Sequence, residues 1–144
     1  MDTTATKNIE EIKKILPHRA PMLLIETAEM IDGASVCTYK IRGDEYFLQG
    51  HFPGNPVVPG VIQCEMMAQA SCLLVEKNDG KSYTPYFTGM NNVRFKRKVV
   101  PGDTIQLKSE MVKAREPFYF VKCVATVDGE VCAQGELSFA LAEV

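Results

Sequence analysis

His51, Gly60 and Glu65 are the residues whose types and spacing could do chemistry. The chain has only two histidines, so general-base candidates are few, and His51 lies in Gly50-His51-Phe52-Pro53-Gly54-Asn55-Pro56-Val57-Val58-Pro59-Gly60. Three glycines and three prolines in eleven residues forbid regular structure and favour a stiff loop. Such a loop can hold a reactive group in one geometry, although a histidine there could equally brace a turn. Glu65 is the only charged residue between Val61 and Val75, in a segment that reads as a buried helix. A carboxylate flanked by Cys64, Met66 and Met67 is costly to ionise unless paired or hydrogen-bonded, and burial favours the proton-carrying form that a general acid requires. The alternative is a carboxylate that benefits from the positive end of the helix dipole and reaches solvent at the edge. Gly60 opens that helix, where the first amides lack intrahelical partners and can meet a developing oxyanion. A loop base, a helix N-terminus and an acid one turn further in suit proton removal beside a carbonyl with loss of a leaving group.

Other chemistries find little support. The chain has no Gly-rich dinucleotide fingerprint, no phosphate-binding loop and no G-x-S-x-G elbow. Two distant histidines and no cysteine pair at ligand spacing argue against a metal site. Cys64 faces a different side of the helix from Glu65, which disfavours a Cys–His nucleophile. Arg94, Lys96 and Lys98 alternate with Val93, Phe95 and Val99, which predicts three cations on one strand face with Arg97 nearby. That face is either solvated or a docking patch for an acidic partner.

The elements that must position these residues follow from periodicity. Ile9, Ile12, Ile15 and Leu16 predict a short amphipathic helix from Asn8 to Leu16, closed by Pro17. Extended runs from Met22 to Ile31 and from Ser35 to Arg42 flank Asp32-Gly33, a strong hairpin signal. The stiff loop then feeds a helix from Val61 to about Lys77, roughly 25 Å long at 1.5 Å per residue and apolar on nearly every side. From Tyr83 the period changes to two, and four strands are expected, joined at Pro101-Gly102-Asp103, Glu116-Pro117 and Asp128-Gly129 so that consecutive strands pair antiparallel. The order predicts an α+β domain, an antiparallel sheet wrapped on one long central helix, with residues 1–144 as a single domain.

Bulk properties agree. The 144 residues are 46% hydrophobic, enough for a core without metal support. A net charge of −2 and a pI near 5.7 suggest neither a nucleic-acid binder nor a polybasic membrane protein. The polar, acidic start and the lack of a long apolar run predict a soluble, unexported chain. Five scattered cysteines, Cys37, Cys64, Cys72, Cys123 and Cys132, fit reduced thiols in the cytoplasm.

Three motifs carry a resemblance. Leu16-Pro17-His18-Arg19-Ala20-Pro21, the Gln49-to-Val61 segment with its H-F-P-G-x-P-x-x-P-G core, and Glu65-Met66-Met67-Ala68-Gln69 are similar to the (3R)-hydroxyacyl-[acyl-carrier-protein] dehydratases of bacterial type II fatty acid synthesis, the FabZ type. Arg94-Phe95-Lys96-Arg97 with Val100-Pro101-Gly102-Asp103 matches that family's later motif, so the resemblance spans essentially the whole chain. It implies a hotdog fold and a homodimer, commonly assembled further as a trimer of dimers, that needs no cofactor and acts on acyl chains borne by acyl carrier protein. His51 would take the α-proton of the thioester, the Gly60 amide would polarise the carbonyl, and Glu65 from the other subunit would help protonate the departing β-hydroxyl. Gln69, one turn after Glu65, could orient it or a water. Val61, Phe95 and the Met66/Met67 pair are candidates to line the acyl tunnel, and Arg94, Lys96, Arg97 and Lys98 to meet the carrier protein. His18 reads as structural. Glutamate at position 65 favours dehydration without isomerisation. A hotdog thioesterase, which His51 in the H-F-P-G loop argues against, and an idle acyl-binding hotdog protein are the competing readings.

Overall fold

The computed structural model describes residues 6–144; the first five residues of the expected 1–144 domain lie outside the described residues. Two helices and six strands follow in the order α1 (Ile9–Ile12), β1 (Thr27–Ile31), β2 (Ala34–Lys40), α2 (Gly60–Cys72), β3 (Tyr83–Phe95), β4 (Thr104–Arg115), β5 (Phe118–Val127) and β6 (Glu130–Glu143), with a short 3₁₀ turn at Tyr46–Leu48. The strands form one antiparallel sheet in the order β1-β2-β4-β5-β6-β3, and α2 packs across its inner face, which is the hotdog fold.

Three expected hairpins form. Asp32-Gly33 and Asp128-Gly129 adopt positive φ at both central residues, as a tight two-residue turn between twisted strands requires. Glu116-Pro117 joins β4 to β5, where Arg115 pairs with Phe118. The fourth expectation is corrected. β3 pairs with β6, from Tyr83 opposite Glu143 to Phe95 opposite Ala133, and lies at the sheet edge away from β4. The connector after Phe95 is too long for a tight turn and its backbone groups are taken elsewhere: Lys96 N–H donates to Cys132 O, Val99 O accepts from Val58 N–H, and Asp103 O accepts from Ile41 N–H. It therefore crosses to the sheet's far half. The meander comprises β4, β5 and β6 alone.

Three element boundaries also differ from the periodicity. Met22–Leu24 stays outside β1 because its backbone bonds elsewhere: Leu24 N–H donates to Gln69 Oε1, Met22 O accepts from Gln69 Nε2, and Met22 and Leu23 N–H donate to Arg19 O. α2 ends at Cys72, after about 20 Å, because Leu73, Leu74 and Val75 donate to carbonyls three residues back and tighten the last turn. α1 is a single turn, capped reciprocally by Asn8 and Glu11.

The core lies between α2 and the sheet. Met66, Met67 and Ala70 meet the inward residues of the alternating strands, among them Ile105, Leu107, Val121, Ala125 and Phe139, all essentially without solvent contact. Each large aliphatic buried this way contributes about 1.5–3 kcal/mol. Met66 and Met67 are thus plain core. Buried serines tie the helix down where it approaches the strands closely: Ser35 Oγ donates to Ala70 O, and Ser71 Oγ bonds Met67 O and Ser109 Oγ. All five cysteines are free and buried. Burial pushes the Cys64 thiol up, which makes it a poor nucleophile.

Candidate active site

The loop before α2 is held by its own backbone. His51 N–H donates to Leu48 O, Val57 N–H returns to His51 O, and Phe52 and Asn55 exchange two bonds. The His51 ring is half-buried, stacks on Phe52 with centroids 4.1 Å apart, and places Nδ1 2.9 Å from Val57 O. A carbonyl only accepts, so Nδ1 carries the proton and Nε2 presents its lone pair. Sequence reasoning identified the histidine but not Val57 O, a backbone atom that composition cannot flag.

α2 starts beside that loop. Ile62 and Gln63 N–H both donate to Pro59 O, leaving the Gly60 and Val61 amides unpaired among the described residues. A methyl at Gly60 would lie 3.0 Å from Phe95 Cζ, so only glycine lets the ring sit over the helix start. Val61 and Phe95 are 72% and 51% exposed, large apolar surfaces beside free amides.

Glu65 is the one residue from Gln63 to Leu73 that escapes burial, its side chain 26% exposed. The expectation of a fully enclosed acid is corrected to that extent for the single chain. Its Oε2 accepts from Gln69 Nε2 at 2.9 Å, and Gln69, 1% exposed, is fixed by Leu24 and Met22. The second histidine joins them, with His18 Nε2 3.6 Å from Glu65 Oε2. Glu65, His18, Gln69, Cys72, Pro85 and Phe87 line a cleft of about 40 Å³. No hydrogen bond or ion pair joins His51 to Glu65 within the described chain. A larger cavity of about 520 Å³, beyond Cys72 and Pro85 and walled by Lys13, Lys14 and Lys77, contains neither.

The cations separate. β3 ends at Phe95, so only Arg94 of the four lies on the strand, and the expectation of three cations on one strand face is corrected. Arg94, Lys96 and Lys98 are exposed, whereas Arg97 is half-buried, donates to Val127 O and sits 3.8 Å from Asp103 and from Glu130. Arg97 is committed within the chain. Among the described residues no three His, Cys, Asp or Glu side chains cluster to hold a metal, and no helix is long and apolar enough to cross a membrane.

Residues 16–136 match the model of the FabA-like domain, a span that contains His18, His51, Gly60, Glu65, Gln69 and Phe95. The chain belongs to the FabA-like domain family. Among relatives of this FabA-like chain, the 3-hydroxyacyl-[acyl-carrier-protein] dehydratase FabZ of Clostridium perfringens (strain SM101 / Type A) is 48% identical over 136 residues, covering 93% of this chain and 98% of the relative. The FabZ dehydratase of Clostridium beijerinckii is 46% identical over 141 residues, covering 93% and 98%. A chain of the dehydratase heterocomplex ApeI:P from Xenorhabdus doucetiae shares the fold with a TM-score of 0.78 at 23% identity, over 91% of this chain and 90% of that one. A hypothetical thioesterase with coenzyme A from Streptococcus pneumoniae shares it more distantly, with a TM-score of 0.61 at 16% identity and 91% of each chain covered.

Proposed function

We propose that this FabA-like chain dehydrates (3R)-3-hydroxyacyl-acyl-carrier-protein to the trans-2-enoyl thioester and water in fatty acid elongation. The observation that carries the reading is near-half identity, over almost the whole length, to FabZ dehydratases, in a chain whose His51 presents a free Nε2. His51 Nε2 takes the α-proton, and the electron pair develops on the thioester oxygen, which the unpaired Gly60 amide stabilises. The pair then forms the α,β double bond as the β C–O bond breaks, and Glu65 delivers a proton so that the hydroxyl leaves as water. The proton gained by His51 returns to Glu65 through solvent, and no cofactor is consumed. Gln69 orients Glu65, and Val61 and Phe95 line the acyl path.

The proposed active form is a homodimer in the cytoplasm, with each site combining His51 of one subunit and Glu65 of the other. Two features support this: no hydrogen bond or ion pair joins His51 to Glu65 within the described chain, and edge strand β3 exposes Tyr86, Phe87 and Met90, apolar surface suited to a second copy. Arg94, Lys96 and Lys98 receive the acidic carrier protein.

The test is incubation of the purified protein with 3-hydroxybutyryl and crotonoyl thioesters, following ultraviolet enoyl absorbance together with free thiol. Interconversion without thiol release is expected. Thiol release would replace the reading with a thioesterase, and neither signal would leave an acyl-binding protein.

A further inference from the structure

The mechanism above leaves His18 unused. Sequence reasoning gave it a structural part, yet the fold brings its Nε2 to 3.6 Å from the Glu65 oxygen that Gln69 also holds. His18 Nδ1 is buried and has no hydrogen-bond partner among the described residues. A proton on Nδ1 would be a buried donor without an acceptor, an unfavourable arrangement; a proton on Nε2 faces a carboxylate. The neutral ring therefore keeps its proton on Nε2. Burial holds His18 below the ordinary histidine range, Arg19 adds to that effect and Glu65 opposes it. The groups facing the ring are Glu65 and Cys72 from α2 and Arg19 from its own turn, while β3 and β6 contribute only Pro85, Phe87 and Phe139. Cys72 stays a neutral thiol, pushed up to about 12 by burial and by Glu65.

We propose that His18 is a positioning residue for Glu65: its Nε2–H and the Gln69 amide converge on Oε2 and leave Oε1, which has no partner among the described residues, to face the substrate hydroxyl. The inference rests on the dehydratase reading. At 3.6 Å the contact is longer than a hydrogen bond, and it tightens when substrate fixes the carboxylate. Neutrality matters to the role. An imidazolium would bind the glutamate as its anion and oppose proton delivery, whereas a neutral donor fixes the rotamer with far less of that effect.

The experiment compares wild type, His18→Phe, His18→Gln, Glu65→Gln and the His18→Phe/Glu65→Gln double variant in 3-hydroxybutyryl thioester dehydration, with thermal unfolding alongside. A wild type that releases thiol, or does nothing, defeats the dehydratase reading itself. Given an active wild type, His18→Phe is expected to lower kcat about tenfold at unchanged KM, the scale of a lost positioning contact. His18→Gln, which can present an N–H at similar reach, recovers to within about twofold. The double variant is no worse than Glu65→Gln alone. His18→Asn, too short to reach Oε2, takes the place of the Phe variant should that fail to fold. The inference is overturned if His18→Phe keeps wild-type kcat, if His18→Gln falls as far as His18→Phe, or if the two losses multiply.

Discussion

At the scale of single residues, the proposed chemistry rests on two side chains whose partners leave one atom free on each. Val57 O accepts a hydrogen bond from His51 Nδ1–H and leaves Nε2 free; Gln69 Nε2–H donates to Oε2 of Glu65 and leaves Oε1 free. Removal of either functional group should stop proton transfer without disturbing the core, because neither side chain belongs to it. His51→Ala and Glu65→Gln are each expected to lose about two orders of magnitude or more in kcat, with an unchanged circular dichroism spectrum and unfolding midpoint. Near-full activity in either variant would remove that residue from the mechanism. These two residues were legible in the sequence because each is chemically out of place: a histidine among glycines and prolines, and a carboxylate within an apolar helix. His18 was not, since what gives it meaning is a contact with Glu65, 47 positions further along the chain, that no local pattern encodes.

At the scale of elements, the start of α2 and the turn before the histidine loop do the positioning. The Phe95 ring packs where a Gly60 Cβ would be. Gly60→Ala should therefore shift the ring over the free amides and lower turnover by about tenfold, and Gly60→Ala with Phe95→Leu should regain part of the loss. Wild-type turnover in Gly60→Ala would show that the close approach is irrelevant. Upstream, Glu45 is half-buried and accepts hydrogen bonds from Arg42 N–H, Gly43 N–H and the Tyr39 hydroxyl. Burial works against the carboxylate, but these donors outweigh it and hold Glu45 below the usual range. A carboxyl that binds its proton less readily when folded stabilises the fold above its unfolded value, and the contribution is lost as pH falls through the folded one. Glu45→Gln should thus cost about 1 kcal/mol at neutral pH, and urea unfolding at about pH 3, past the ordinary carboxylate range, should show the gap closing. A gap that is constant with pH would contradict the charge-based account. Hairpins and the buried helix were readable because turn residues and periodicity are local signals. The place of β3 was not: pairing it with β6 rather than β4 depends on connector length and on where the connector's backbone bonds go.

At the scale of the whole molecule, charge and apolar surface divide the labour. Arg94 and Lys96 are exposed at the end of β3, and their reversal to Glu should weaken carrier-protein binding and its salt dependence while small thioesters turn over nearly as before. Equal loss on both substrates would make the patch structural. The exposed apolar side chains of β3, and a His51 and Glu65 that share no hydrogen bond or ion pair within the described chain, both fit the proposed sharing of each site between two subunits. The direct measurement is the dehydratase rate of hybrid dimers carrying His51→Ala in one subunit and Glu65→Gln in the other, co-expressed and isolated through two different affinity tags. One of the two sites in such a hybrid keeps both native groups, so the account predicts recovery to about half the wild-type rate from two nearly inactive parents. A hybrid as inactive as its parents would contradict it.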